Sequence, residues 1–169
     1  VISFIIFKFF GAYLSSKICG KIFEKIGPFF RSKHIIETNI KRAIPNISSE
    51  ELKKITCMMW NNYGRIFAEY IFIKDFRFGK LNSKIEIIGK EILDDIKKSN
   101  KQVVFISGHL SNFELMAMCL DKSGIELCAI YRPLNNIFLN KVMERIRKKY
   151  ICKNQIKKGI GGLKNLITL

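Results

Sequence analysis

Histidine is scarce in this chain, with only His34 and His109, and the two lie in different segments. A metal centre built on histidine needs three or four ligands, so a metal role starts poorly supported. The five cysteines (Cys19, Cys57, Cys119, Cys128, Cys152) show no C-x-x-C spacing, and an odd count makes a poor disulfide framework. They read as reduced, mostly buried residues on the cytoplasmic side. The G-x-S-x-G nucleophile elbow is missing, which argues against a serine hydrolase on an α/β sheet. Acidic residues are few, 14 against 30 Lys and Arg, leaving a net charge of +16. Such a balance suits polyanionic partners, either nucleic acid or an anionic membrane face. The cations are spread rather than clustered into a stripe, and no nucleic-acid-binding motif accompanies them, so a basic nucleic-acid-binding module is the runner-up.

Nor is there an uninterrupted apolar run of the roughly 20 residues that a membrane span needs. Val1 to Leu14 is nearly all apolar but is broken by Ser3, Lys8 and Gly11. It continues as an amphipathic stretch that sets Ile18, Ile22, Phe23 and Ile26 against Lys17, Lys21 and Lys25. Residues 1–30 therefore read as a membrane-associating helix, either the tail of a span or an interfacial helix with a basic face. No small-residue cleavage site follows, which disfavours a signal peptide. What the chain does have is enough apolar material, 48% over 169 residues, for a domain with its own core.

Gly27-Pro28 ends the first element, and a short helix from about Lys33 to Ile44 stops at Pro45. Ser48-Ser49-Glu50-Glu51 reads as a capping box opening a long helix to about Ile73, in which Trp60 belongs to the core and Arg65 and Glu69 are spaced for an intrahelical pair. The lead-in spans residues 31–80. From Lys84 to Leu169 strands and helices alternate: strands at Ile85–Ile88, Val103–Ser107 and Glu126–Tyr131, helices at Glu91–Lys98, Asn112–Lys122 and Asn136–Tyr150, a short segment over Ile151–Ile156 and a last helix after Gly162. Gly159-Ile160-Gly161-Gly162 lacks the dinucleotide-binding spacing and reads as a loop and helix start. The expected fold is α/β, a mainly parallel sheet flanked by helices, with a helical membrane-associating amino-terminal region.

The chemistry concentrates where the Val103–Ser107 run gives way to Gly108-His109. His109 falls in the loop at the carboxyl end of a strand and Glu114 in the first turn of the next helix, where an open α/β sheet places its active site. Histidine, with an ordinary pKa near ~6.5, can take a proton from a hydroxyl at neutral pH, and a carboxylate can orient and stabilise the imidazolium. The competing reading makes Ser111-x-x-Glu114 a capping box in which Glu114 only satisfies a backbone N–H. Arg132, after the next strand, faces the same crevice in this scheme and offers a planar fork for a phosphate, carboxylate or oxyanion. Asn136 opens the following helix as its cap.

Gly108-His109-Leu110-Ser111-Asn112-Phe113-Glu114 resembles the H-x4-D/E block of glycerolipid-type acyltransferases. Together with Tyr131-Arg132-Pro133-Leu134-Asn135-Asn136 it resembles, in order and spacing, the bacterial lipid A biosynthesis (lauroyl and myristoyl) acyltransferases. Trp60-Asn61-Asn62-Tyr63-Gly64-Arg65-Ile66-Phe67-Ala68-Glu69 and Lys158-Gly159-Ile160-Gly161-Gly162-Leu163 extend the likeness over nearly the whole chain. Ser111 stands where the family usually has glycine, and Phe113 where it usually has tryptophan. The resemblance implies that residues 31–169 are an acyltransferase domain lacking its carboxyl-terminal part, a reading that also fits a chain beginning at Val1 and stopping at Leu169 inside a helical pattern. It implies His109 and Glu114 as catalytic residues, Arg132, Asn112 and Tyr131 as substrate-binding residues, and no cofactor or metal. It implies an acyl carrier protein thioester, or acyl-coenzyme A, as donor, and a lipid A precursor as acceptor at the cytoplasmic face of the bacterial inner membrane. A different glycerolipid or glycolipid acyltransferase is the near alternative.

Overall fold

The fold is given by a computed structural model, which describes residues 2–167. Val1, the first residue of the apolar run, and Thr168 and Leu169, the end of the closing helical pattern, lie outside the described residues. The chain forms two compact units, one running to Phe72 and one from Ile73 onward.

The first unit is helical. It comprises α1 (Ile2–Ile26), a 3-10 turn at Gly27–Phe29, α2 (Lys33–Ala43), α3 (Ser49–Glu69) and a 3-10 turn at Tyr70–Phe72. The capping box opens α3 as expected, with the Glu51 amide donating to the Ser48 hydroxyl and the Ser48 amide donating to the Glu51 carboxylate. Gly11 breaks α1 with φ 73° and ψ 169°, a conformation open to glycine because it has no Cβ. The break frees helix carbonyls, and the fully buried Ser15 hydroxyl donates to that of Phe7 at 2.8 Å. After the break α1 packs on α3 through small residues: Ser15, Ser16, Cys19 and Gly20 are buried, while Leu14, Ile18, Ile22 and Ile26 point outward beside the exposed lysines. The isoleucine stripe expected to oppose the lysines thus shares the solvent side with them. Small residues win the interface because they allow close approach: a Cβ on Gly64 of α3 would lie 2.3 Å from the Cys19 carbonyl oxygen. Trp60 is buried, as expected. Arg65 and Glu69 each reach another partner. The Arg65 Nε donates to Asn61, whose amide donates to Glu24, and Glu69 accepts from the Ser16 hydroxyl at 2.8 Å.

The second unit holds α4 (Ile73–Phe78), a 3-10 turn at Lys80–Lys84, α5 (Lys90–Ser99), α6 (Glu114–Lys122), β1 (Cys128–Tyr131), α7 (Ile137–Tyr150), β2 (Asn154–Lys157) and α8 (Ile160–Ile167). Ile73, Met118, Ile151 and Cys152 are its most deeply buried residues, ringed by Phe76, Ile85, Leu115, Leu127, Ala129, Ile146 and Tyr150. Arg77 ties α4 to this core, donating to the Tyr150 and Ile151 carbonyls and to Asp121 at 2.6 Å. β1, α7 and β2 make a parallel β–α–β unit in which Ile130 lies opposite Ile156. Asn136 caps α7, accepting from the Leu139 amide, as the sequence indicates.

The sheet is smaller than the sequence pattern suggests. Among the described residues it has two strands in a mostly helical chain. Residues 85–88 follow a 3-10 turn as irregular chain and end at left-handed Gly89. Val103–Ser107 is also irregular, with Val104 87% and Ile106 94% exposed. Its β-branched composition expresses a fit to a pleated, half-buried surface, and neither burial nor a hydrogen-bonded neighbour supplies that surface here. No helix among the described residues is long and apolar enough to cross a membrane.

Candidate active site

His109 lies in the irregular segment that precedes α6, and its ring is exposed to solvent apart from a tilted contact with Phe113, centroids 4.2 Å apart. Between them Ser111 takes φ 45°, a left-handed conformation that costs an L-residue about 1–2 kcal/mol and a glycine almost nothing. This turn bears on the capping reading of Glu114. The N-cap of α6 is Phe113, with no side-chain cap, and Glu114 is the first helical residue, not the third. The Ser111–Glu114 capping box is therefore not formed.

Glu114 is instead an internal carboxylate, 5% exposed and anchored from α7. Arg147 donates to its Oε1 through Nε at 2.9 Å and, more closely, through Nη2. The same guanidinium lies over the Tyr131 ring, 5.4 Å from its centroid. Tyr131 in turn donates its hydroxyl to Glu144, which also accepts from Asn140 at 2.8 Å and pairs with Lys157 of β2 at 3.1 Å. Burial and this acceptor push the Tyr131 hydroxyl up to about 12, while the tyrosine bond, followed by Lys157 and Asn140, holds the Glu144 carboxyl down at about 2. Asn140 closes the network by accepting from the Leu134 amide at 2.8 Å.

The structure thus joins Glu114 and Tyr131 through Arg147. Asn112 stands half-buried just before α6, its carbonyl accepting from the Leu115 amide. Arg132 is exposed on the chain leaving β1. Among the described residues, the side chains of His109 and Arg132 take part in no hydrogen bond or ion pair, which leaves both groups turned to solvent. The residues that sequence reasoning passed over are Asn140, Glu144 and Arg147. Their spacing of four and three residues puts them on one face of α7, a polar stripe along a helix whose neighbouring face, with Ile146 and Tyr150, packs on the core. No group of three or more His, Cys, Asp or Glu side chains able to hold a metal ion occurs among the described residues.

An exposed imidazole, a clamped carboxylate five residues later and an exposed arginine after a parallel strand are what the second unit offers as a candidate site. Comparison with known proteins gives the particular family: residues 1–168 match the bacterial lipid A biosynthesis acyltransferases, and the chain belongs to that family. It is similar to the lipid A biosynthesis myristoyltransferase of Escherichia coli (strain K12), 20% identical over 131 residues, which are 78% of this chain and 40% of that protein. The chain thus spans about two-fifths of the length of that relative. No solved structure matches it.

Proposed function

We propose that the protein transfers a fatty acyl chain from an acyl thioester to a hydroxyl of a lipid A precursor, at the cytoplasmic face of the bacterial inner membrane. The donor is acyl carrier protein, with coenzyme A as the other thioester of this chemistry. A neutral His109 takes the proton of the acceptor hydroxyl as its oxygen attacks the thioester carbonyl carbon. The C–S bond then breaks, and the leaving thiolate receives the proton from the imidazolium. Glu114 stabilises the charged imidazole, and Arg147 fixes where that carboxylate stands. Arg132, together with Asn112 and Tyr131, binds the substrate, its guanidinium suited to the phosphate of a phosphorylated glycolipid.

The observation that supports this reading is an exposed His109 five residues before a buried, arginine-held Glu114, inside a chain whose family is established by sequence. Exposure suits a base that must meet a bulky lipid hydroxyl. The test is transfer of labelled acyl from its carrier to a lipid A precursor by the full-length protein. Removing a general base costs about 10²–10⁴-fold, so His109→Ala should lose turnover on that scale. Near-normal turnover of His109→Ala would overturn the assignment. Glu114→Gln should lose less than His109→Ala while leaving KM for the lipid nearly unchanged, as befits a group acting on the imidazole and not on the substrate.

A further inference from the structure

α7 has a second face that the network around Glu114 does not use. At 100° per residue, Asn140, Glu144 and Arg147 lie on one side of the helix; away from it lie Phe138, Val142, Arg145 and Lys149, with Lys141 and Lys148 at the border beside Glu144. Those last six are all exposed, Phe138 at 84%. Lys141, Arg145, Lys148 and Lys149 border a shallow open depression with only Glu144 as acid, and among the described residues none of the four is in an ion pair. The face is thus a strip about 17 Å long, with Phe138, Lys141 and Val142 in its amino-terminal half and only cations beyond.

We propose that this face of α7 docks the acidic carrier protein that brings the acyl thioester. The inference rests on the acyl-transfer reading given above and adds the place where the donor binds. A membrane surface is the other anionic partner such a strip could meet, and the layout of the face speaks against it. An interfacial helix carries an apolar stripe along its length with cations at the flanks. Here Arg145 and Lys149 occupy the outward face over its carboxyl-terminal half, and the apolar Phe138 and Val142 only its amino-terminal half. Unscreened cations on a rigid helix steer and orient an acidic protein, and an exposed Phe138 and Val142 give that protein an apolar contact at the end of α7 that follows Arg132. The helix that fixes Glu114 through one face would then receive the donor on the other.

The test measures binding of myristoyl-loaded acyl carrier protein to the full-length enzyme, wild type against Lys141→Gln/Arg145→Gln/Lys148→Gln, together with turnover on myristoyl-pantetheine, a thioester with no protein attached. Carrier binding should weaken at least about tenfold and lose most of its salt dependence, with pantetheine turnover unchanged. Unchanged carrier binding overturns the proposal. It is overturned equally if the variant keeps the carrier but no longer sediments with phosphatidylglycerol vesicles, since the face then serves the membrane. Should the triple variant melt early, Arg145→Gln and Lys148→Gln singly must each weaken the carrier, or the proposal fails. A wild-type enzyme that binds the carrier but transfers from neither thioester would refute the catalytic reading and leave the docking surface standing.

Discussion

Tyr131 and Glu144 hold each other in opposite ionisation states, and that arrangement has a pH signature. The Glu144 carboxyl is lowered from 4.5 to about 2, chiefly by the tyrosine hydroxyl it accepts from. Its contribution to stability is therefore complete above pH 4.5 and lost as the pH falls toward 2. The Tyr131 hydroxyl is raised from 10.0 to about 12, first by burial and then by Glu144, so its contribution is complete below pH 10 and lost on the way to 12. Urea unfolding followed across pH should show a loss of stability on both limbs. Tyr131→Phe should abolish the alkaline loss and shrink the acidic one, and a variant with the wild-type profile would show that the hydrogen bond carries no linkage. The Glu114–Arg147 pair calls for a different measurement, because both groups are internal, with side chains 6% and 14% exposed. Removing one partner of a buried pair strands the other charge, at a cost of about 3–5 kcal/mol, whereas replacing both by apolar groups of similar volume is often neutral. Arg147→Met should destabilise by that amount, and Glu114→Leu/Arg147→Met should recover much of it. Equal losses in the single and double variants would mean that packing, not the charge, decides.

At the scale of elements, the starts of α3 and α7 were legible in the sequence, and of the expected strands Glu126–Tyr131 forms as β1 while Ile85–Ile88 and Val103–Ser107 do not. Ser48 and Asn136 cap because a short polar side chain can reach the exposed amides of a first turn whatever surrounds it. Val103–Ser107 needs a partner to be a strand, and its residues record only the preference. Half of the candidate site was readable in the same sense. His109 and Glu114 announce themselves by spacing, while Arg147 lies 33 residues beyond Glu114 and is brought to it by the return of the chain through β1 and α7. The capping-box alternative for Glu114 could be dismissed only once Ser111 was seen in a left-handed turn, which its residue type does not require. The α1–α3 contact was not readable for a related reason: the closeness of two helices is set by what fits between them, not by where hydrophobicity is highest. Gly64 is the point of closest fit, where a methyl group would meet the Cys19 carbonyl at 2.3 Å. Gly64→Ala gains helix propensity of about 1 kcal/mol and still has to force apart a packed interface that typically costs about 1–3 kcal/mol. The expected outcome is a lower melting temperature. A variant that melts as high as wild type would show that α1 shifts freely against α3.

On the scale of the whole molecule, many large apolar side chains among the described residues are left outside the cores. In the first unit Phe9, Tyr13, Phe29 and Phe30 are each more than 70% exposed, and Ile18, Ile22 and Ile26 extend the patch beside Lys17, Lys21 and Lys25. Such a surface is larger in kind than the isolated apolar residues common on monomers, and aromatic rings beside lysines are the composition that settles at a bilayer's headgroup level. Because small residues satisfy the α1–α3 contact, the isoleucines and aromatics stay available on the outside. Burying one large apolar side chain contributes about 1.5–3 kcal/mol when complete, so even partial immersion of four rings amounts to at least about a hundredfold in partition. Phe9→Ser/Tyr13→Ser/Phe29→Ser/Phe30→Ser should therefore reduce co-sedimentation of the full-length protein with phosphatidylglycerol vesicles by that factor, and added salt should weaken the wild type further by screening the lysines. Thermal melting checks that the variant stays folded, since all four side chains already face solvent. Unchanged vesicle binding would show that this surface meets something other than lipid, and would shift attention to another partner for the outward face of α1.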